Sequence, residues 1–270
     1  MNEAHEWRSA PAAKYAVVGD PVAHSLSPQM QNAAFRAHGL ADEYIAVRVP
    51  LEEFDEAMEH LLSLRYFGVN VTIPLKEAAF RWAMNTPDLE RRMGVVNTLR
   101  LSDREAINTD APGFLDVIKS LDVATPCRLL LLGAGGTAQA FIVALADAGF
   151  EVACWNRTRK KIDAVVEQRG VSATVLDVPD PDGCQIIVNA TSASMAGESL
   201  PVLWDQAPEG AVAIDVFYAD GPTVFQSEAQ RYGIQVALDG RALLVAQGAR
   251  SFEWWTGKSA PREAMLKAVQ

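Results

Sequence analysis

The chain has 270 residues, of which 49% are apolar and 21% charged, with a formal net charge of −10. That length suffices for two domains with cores of their own, and the acidic balance argues against a nucleic-acid surface. No apolar run approaches the ~20 residues of a membrane span, residues 1–13 lack the apolar centre of a signal peptide, and the four histidines show no metal-ligand spacing.

The three cysteines, Cys127, Cys154 and Cys184, stand singly in or beside expected strands, as reduced packing residues of a cytosolic protein do. Acyl-transfer signatures such as G-x-S-x-G are absent.

Residues 14–19 read as a strand closed by the turn Gly19-Asp-Pro21. Ser27 and Pro28 then form an N-cap and N1 pair, opening a helix that runs to His38 before Gly39. Capping accounts for Ser27 but not for Ser25, two residues earlier. The alternative has both hydroxyls pointing into a cleft toward a polar substrate.

Residues 44–49 form a second strand, and residues 51–64 an amphipathic helix with Phe54, Met58, Leu61 and Leu62 inward. Val69, Val71 and Ile73 alternate onto one face of the next strand, so Asn70 and Thr72 share the other. Their place at the C-terminal end of a strand is where α/β sheets bind ligands. Pro74 stops the strand, and Lys76 leads into a helix over residues 77–82 near the same edge. A snorkelling surface lysine is the ordinary alternative for Lys76, and the company of Asn70 and Thr72 stands against it.

Residues 94–99 read as a strand with Asn97 and Leu99 on one face. Thr109 or Asp110 caps a helix over residues 111–121 with Pro112 in its first turn. For Asp110, capping is the ordinary role.

The apolar run Leu129-Leu-Leu-Leu132 reads as a strand buried on both faces, followed by Gly133-Ala-Gly-Gly136 and a helix ending at Gly149. Strand, glycine turn and helix form a phosphate cradle. Gly133 permits the tight turn, Gly135 lets the backbone approach a pyrophosphate, and the helix N-terminus offers N–H groups and a positive dipole. Ala140 replaces the last glycine of the plain G-x-G-x-x-G pattern and makes the close helix–strand contact. Turns of this kind also occur without a ligand. A strand over residues 152–155 leads to Asn156-Arg-Thr158, about 20 residues past the glycines, where NAD-binding folds place an acid on the ribose. Here stand Arg157, Thr158, Arg159, Lys160 and Lys161 instead. A guanidinium fork at Arg157 suits a 2′-phosphate, hence NADP, while Arg159 to Lys161 also fit a solvated helix start.

Further strands over residues 173–176, 185–189, 211–216 and 234–237 complete a doubly wound sheet of about six strands. Asn189-Ala-Thr-Ser192 ends one of them and meets a cofactor at the switch-point crevice, unless it is turn chemistry alone. Asp215-Val-Phe-Tyr218 ends the next. Gly240 opens a helix over residues 241–256 that carries Gln247 amid Leu243, Leu244, Phe252 and Trp255; Gly257 closes it, and a short helix follows from Pro261.

Ser25-Leu-Ser-Pro28, Asn70-Val-Thr-Ile-Pro-Leu-Lys76, Val96-Asn-Thr-Leu99, Asn108-Thr-Asp110, Gly133-Ala-Gly-Gly136, Asn156-Arg-Thr158 and Asn189-Ala-Thr-Ser192 stand in the order found in shikimate dehydrogenases, which the chain resembles from about Tyr15 to Gly257. The resemblance implies an α/β protein of two domains. One is a Rossmann-like doubly wound parallel sheet for NADP over residues 111–239; the other is a smaller α/β substrate domain of mixed sheet, discontinuous over residues 1–110 and 240–270, with the cleft between them. It implies cytoplasmic, reversible hydride transfer between shikimate and NADP in the route to aromatic amino acids, by a monomer or homodimer without metal.

By the same resemblance Lys76 and Asp110 are the catalytic pair, and Ser25 and Ser27 hold the substrate carboxylate. Asn70, Thr72, Asn97, Asp110 and Gln247 bind the ring hydroxyls, with Tyr218 near substrate or nicotinamide unless it is a core tyrosine. The cofactor falls to Gly133, Ala134, Gly135, Gly136, Thr137, Ala138, Asn156, Arg157, Thr158, Lys161, Asn189, Thr191, Ser192 and Gly240. Ala111-Pro112, Ser194 and Leu243 depart from the family pattern and bear on substrate range and rate. The alternatives are a quinate or dual quinate/shikimate dehydrogenase using NAD, and a non-catalytic sensor of the same fold.

Overall fold

Short runs of Val, Ile and Tyr separated by amphipathic helices build the first sheet. The computed structural model describes residues 4–270, so the first residues of the polar N-terminal stretch, 1–3, lie outside the described ones. The chain divides into two units, Met1–Gly113 with Leu244–Gln270, and Phe114–Leu243. The first contains β1 (Ala4–Glu6), β2 (Tyr15–Gly19), α1 (Ser27–Ala37), β3 (Tyr44–Arg48), α2 (Phe54–Ser63), β4 (Gly68–Val71), α3 (Lys76–Trp82), α4 (Asp88–Met93), β5 (Thr98–Arg100), β6 (Glu105–Ile107) and the start of α5 (Asp110–Lys119). Its strands lie in the order β1-β3-β2-β4-β5-β6. The first four are mutually parallel; β5 runs antiparallel to β4, and β6 antiparallel to β5. Every residue of β2 is buried, as expected of a parallel strand covered on both faces. Val47, Phe54, Met58, Leu61, Val69 and Leu75 form the core beneath it.

Several local expectations change. The strand expected over residues 94–99 begins only at Thr98, because Gly94 takes the left-handed conformation (φ 65°) that ends α4, a helix the sequence reading did not foresee. Asn97 still joins the neighbouring backbones, donating to Ile107 O and accepting from Val71 N. The side chain serving the start of α5 is Asn108, whose Oδ1 accepts from Ala111 N at 3.0 Å, and not Thr109 or Asp110. In α1 the roles of the serines are exchanged: Ser27 is the first helical residue, and Ser25 Oγ accepts from Ser27 N at 3.2 Å. The N-cap position itself belongs to Leu26, without a side-chain bond.

The second unit continues through β7 (Arg128–Leu132), α6 (Gly136–Asp147), β8 (Glu151–Trp155), α7 (Arg159–Arg169), β9 (Thr174–Val175), β10 (Ile186–Asn189), β11 (Val212–Asp215), α8 (Val224–Arg231), β12 (Val236–Leu238) and the first residues of α9 (Arg241–Thr256). All pairings are parallel, in the order β12-β11-β10-β7-β8-β9. The strand order reverses between β7 and β10, which makes that gap the topological switch point. Leu129 to Leu132 have no exposed surface, and Phe141 of α6 stacks on Phe114 with ring centroids 4.1 Å apart. At the switch point Gly133 has φ +125°, and a Cβ there would stand 2.7 Å from Ala190 O. Gly240 N donates to Phe217 O at 2.9 Å, and a Cβ on Gly240 would fall 2.2 Å from Val216 O. Gly240→Ala is therefore expected to cost about 1–3 kcal/mol through overpacking against rigid backbone, read as a lower Tm in calorimetry.

From Leu244 onward α9 belongs to the first unit, followed by α10 (Arg262–Lys267). Gly248 lets α9 lie directly on Met30 of α1, where a Cβ would meet Met30 Cε at 2.1 Å, and Gln31 Nε2 donates to Gly248 O at 2.9 Å. At the other end Trp255 Nε1 donates to Leu99 O at 3.1 Å and covers Gly68. Among the described residues no helix is long and apolar enough to cross a membrane, and no cluster of His, Cys, Asp and Glu is placed to hold a metal ion.

Candidate functional site

β4 ends at Val71, short of the expected Thr72 and Ile73, and a turn closed by Leu75 N donating to Thr72 O at 2.9 Å leads to Lys76 at the first position of α3; Asp110 occupies the first position of α5. Their side chains meet. Lys76 Nζ stands 2.6 Å from Asp110 Oδ2, with side-chain exposures of 12% and 10%. A nearly dry amine–carboxylate contact between residues 34 positions apart is unlike the solvated surface pairs elsewhere on the chain.

Asp110 escapes capping because its neighbours anchor the turn. Asn108 N donates to Glu90 Oε1 at 3.1 Å, Asn108 Nδ2 to Val95 O at 3.2 Å, and Thr109 N to Asn97 Oδ1 at 2.7 Å. Glu90, buried on α4, is a supporting residue that the sequence reading missed. The signal was present: Pro87, acidic residues at the start, Arg91-Arg92 in the last turn and Gly94 are the marks of a short helix.

Behind this pair lies a buried polar knot. Tyr44 Oη donates to Asn70 Oδ1 at 2.8 Å. Asn70 Nδ2 stands at hydrogen-bond distance from Asn97 O (3.1 Å), Thr98 Oγ1 (2.9 Å) and Ser251 Oγ (2.9 Å). Asn97 Nδ2 donates to Thr109 Oγ1 at 3.0 Å and faces Gln247 Oε1 at 3.4 Å. Ser251 Oγ also donates to Gln247 O at 3.1 Å. Asn70 and Asn97, expected at the ring hydroxyls, are thus both buried and largely committed to the protein, so their first task is to hold the ends of β4 and β5 and the face of α9 together. Ser251, Thr98 and Tyr44 were not foreseen as members, since a lone Ser or Tyr in an apolar helix or strand carries no local signal. Ser251→Ala, which leaves Asn70 and Thr98 short of a partner, is expected to cost about 1–3 kcal/mol in urea unfolding.

Thr72 N donates to Val18 O at 2.9 Å, and the Thr72 methyl fills the space beside Gly19, where a Cβ would meet it at 2.4 Å. Thr72 therefore marks the joined carboxyl ends of β2 and β4. Ser27 is buried and Ser25 half-buried. Ser27 lies one helical turn before Gln31, whose amide reaches Gly248 O beside Gln247.

In the second unit the glycine turn fits a dinucleotide. Gly135, the N-cap of α6, is extended with no side-chain cap, and no heavy atom lies within 4 Å of where its Cβ would be. Backbone at Gly133, Ala134, Gly135 and Gly136, with Thr137 and Ala138 in the first turn, leaves the room a pyrophosphate needs at a helix N-terminus. After β8, Asn156 Nδ2 donates to Thr158 O at 3.0 Å and shapes the turn. Arg157 is 84% exposed, with Glu198 3.5 Å away. Arg159 instead pairs with Asp163 and Asp177, the role of an ordinary helix-start cation, and Lys161 is exposed. A solvent-reachable guanidinium at Arg157, with no carboxylate at position 156, suits a 2′-phosphate.

Asn189 has no exposed surface. Its Nδ2 donates to Asp215 Oδ1 and Ser194 Oγ, both at 3.1 Å, and its Oδ1 accepts from Thr191 N and Oγ1. The Asn189 side chain, expected at a cofactor, faces inward and sets the loop that carries half-buried Thr191 and exposed Ser192. Gly240 is likewise buried against Val216 and Phe217. Tyr218 is half-buried, stacked near-parallel to Phe217, with the Arg241 guanidinium 5.9 Å from its ring, and is not a core tyrosine. Burial pushes the Cys154 thiol up to about 12 and Cys184 up to about 11, so neither supplies a thiolate at neutral pH.

The chain is similar to known proteins along nearly its whole length. A family profile described as the shikimate dehydrogenase substrate binding domain matches residues 17–99, and one described as the shikimate 5′-dehydrogenase C-terminal domain matches residues 240–270. A shikimate dehydrogenase (NADP(+)) of Natronomonas pharaonis is 36% identical over 263 residues, covering 95% of this chain and 98% of its own. One from Thermus thermophilus is 38% identical over 260 residues, covering 95% and 97%. The crystal structure of shikimate dehydrogenase from Aquifex aeolicus superimposes with a TM-score of 0.87 at 32% identity, covering 99% of this chain and 98% of that one. A Thermus thermophilus shikimate 5-dehydrogenase in complex with NADP(H) and shikimate gives 0.85 at 35% identity, covering 94% and 97%. With this identity along nearly its whole length, and a dry Lys76–Asp110 contact and a glycine cradle in its own structure, the chain belongs to the shikimate dehydrogenase family.

Proposed function

We propose that the protein transfers a hydride reversibly between shikimate and NADP, with Lys76 and Asp110 as the catalytic pair, the first unit binding substrate and the second binding cofactor. The 2.6 Å contact of those two side chains carries the reading. Oxidising a carbinol carbon requires its hydroxyl proton to leave as the hydride leaves, and the reverse reaction requires a donor at the ketone oxygen. NADP, when bound, supplies the hydride acceptor. Lys76 Nζ holds or returns the proton at the substrate oxygen and stabilises charge developing there. Asp110 orients that ammonium and shares the proton with it. Ser25 and Ser27 hold the substrate carboxylate, and Thr72, Gln247, Asn70 and Asn97 frame the ring hydroxyls, the last two chiefly by fixing the wall. Gly133 to Ala138, Thr158, Lys161, Thr191 and Ser192 surround the dinucleotide, with Arg157 on its 2′-phosphate and Tyr218 toward its nicotinamide end.

We also infer a cytoplasmic setting, from three free cysteines that form no bridge, and a role in making aromatic amino-acid precursors. A kcat/KM matrix of shikimate and quinate against NADP and NAD tests the reading. The expected maximum is shikimate with NADP. Absence of shikimate-dependent NADP reduction overturns it, and a maximum at quinate with NAD installs the rival dehydrogenase.

A further inference from the structure

Asp215, the last residue of β11, is a carboxylate with no exposed surface. Among the described residues its hydrogen-bonding partners include no cation. Oδ1 accepts from Asn189 Nδ2 and from Phe217 N, both at 3.1 Å, while Oδ2 accepts from Ser194 Oγ at 2.5 Å and Thr223 Oγ1 at 2.7 Å. Burial holds its carboxyl above the ordinary carboxylate range, and these donors offset that only in part. A buried acid without a counter-ion is costly even when hydrogen-bonded. What holds it there is its acceptor capacity: four donors from the surrounding segments share its two oxygens.

Each donor belongs to a different segment. Asn189 ends β10, Ser194 lies in the loop after it, Phe217 in the loop after β11, and Thr223 is the N-cap of α8, where it also accepts from Gln226 N in a capping box. The links extend outward. Asn189 Oδ1 holds Thr191, Ala190 O lies against Gly133 of the glycine turn, and Phe217 O accepts from Gly240 N. One carboxylate thus pins both loops at the carboxyl ends of β10 and β11.

In a doubly wound sheet these loops bound the mononucleotide half opposite the one served by β8. The 2′-phosphate side belongs to Arg157 after β8, so the β10 and β11 loops face the nicotinamide side. The Ser194 hydroxyl makes the shortest of the four bonds.

We propose that Asp215 and Ser194 are positioning residues for the nicotinamide half of the cofactor, holding the loops after β10 and β11 in the form that receives it without touching it themselves. The inference rests on the NADP reading and deepens it. Ser194→Ala and Asp215→Asn in the full chain test it, with NADPH binding followed by its own fluorescence and 2′,5′-ADP binding by calorimetry. The second ligand keeps the phosphate and adenosine but lacks the nicotinamide. Ser194→Ala is expected to weaken NADPH binding about tenfold, and Asp215→Asn by more, since hydrogen bonds to a buried charge are the strong ones. The Kd of 2′,5′-ADP and the KM for shikimate are expected to stay within about twofold of wild type. Should Asp215→Asn fail to fold, Ser194→Ala decides alone. Unchanged NADPH binding overturns the inference, as does a parallel loss of both ligands, which marks a general softening of the unit. Failure of the wild type itself to bind NADPH overturns the cofactor reading and this inference together.

Discussion

Lys76→Ala is expected to lower kcat by about 10²–10⁴-fold, the range a positioned general acid–base group contributes, while the KM for shikimate changes only a few-fold. The physical basis is the dry contact with Asp110: with the amine gone, the ammonium that carries the proton to the substrate oxygen is lost, and Asp110 is left without its cation. The carboxyl side should behave similarly. Asp110→Asn keeps the shape and one hydrogen bond to Lys76 but cannot take up the shared proton, so kcat falls with shape-dependent binding preserved. Steady-state kinetics on the purified full chain, with shikimate binding measured separately by tryptophan fluorescence, separates the outcomes. Unchanged kcat in Lys76→Ala removes the lysine from the mechanism. Tight shikimate binding without turnover in the wild type favours the sensor.

Arg157→Ala is expected to lower kcat/KM for NADP about 10–100-fold and to leave kcat/KM for NAD nearly unaltered, closing the gap between the two cofactors. Arg157 is the cation after β8 best suited to this role. Its neighbour Arg159 is held by Asp163 and Asp177, whereas Arg157 is solvent-reachable and pairs with Glu198 at 3.5 Å. The preference should also weaken with added salt in the wild type, because an exposed phosphate site is screened. Equal losses for both cofactors would move the recognition of the 2′-phosphate elsewhere, with exposed Lys161 the first place to look.

How much of this was legible beforehand differs from element to element. The run Leu129 to Leu132 and the glycines after it announced a buried strand and a phosphate turn, because only glycine tolerates φ +125° with a carbonyl 2.7 Å from its Cβ position. The alternation expected through Val69, Val71 and Ile73 holds only as far as Val71, where β4 ends; Ile73 lies exposed in the turn that follows, so Thr72 is placed by that turn and not by the strand. Helix ends were harder. Ser27 and Asp110 have the right chemistry for caps, yet Ser25 and Asn108 make those bonds, since the choice among adjacent polar residues depends on backbone angles that no spacing encodes. The helix carrying Glu90 was too short to show a period, and its supporting bond to Asn108 N spans 18 positions.

The amino-acid sequence by itself determined the alternation of strands and helices, the glycine turn, the absence of an acid at Asn156 and the residue types available for chemistry, because these follow from periodicity, backbone permissiveness and charge, all of which act locally. Only the tertiary structure decided that Lys76 meets Asp110, that Asn70, Asn97 and Asn189 turn inward, and that Asp215 is a buried acid joined to Ser194. Those facts depend on which distant side chains are brought within 3 Å of one another in a medium that excludes water. There a hydrogen bond or an ion pair is worth several times its value at the surface, and an unpaired group costs as much.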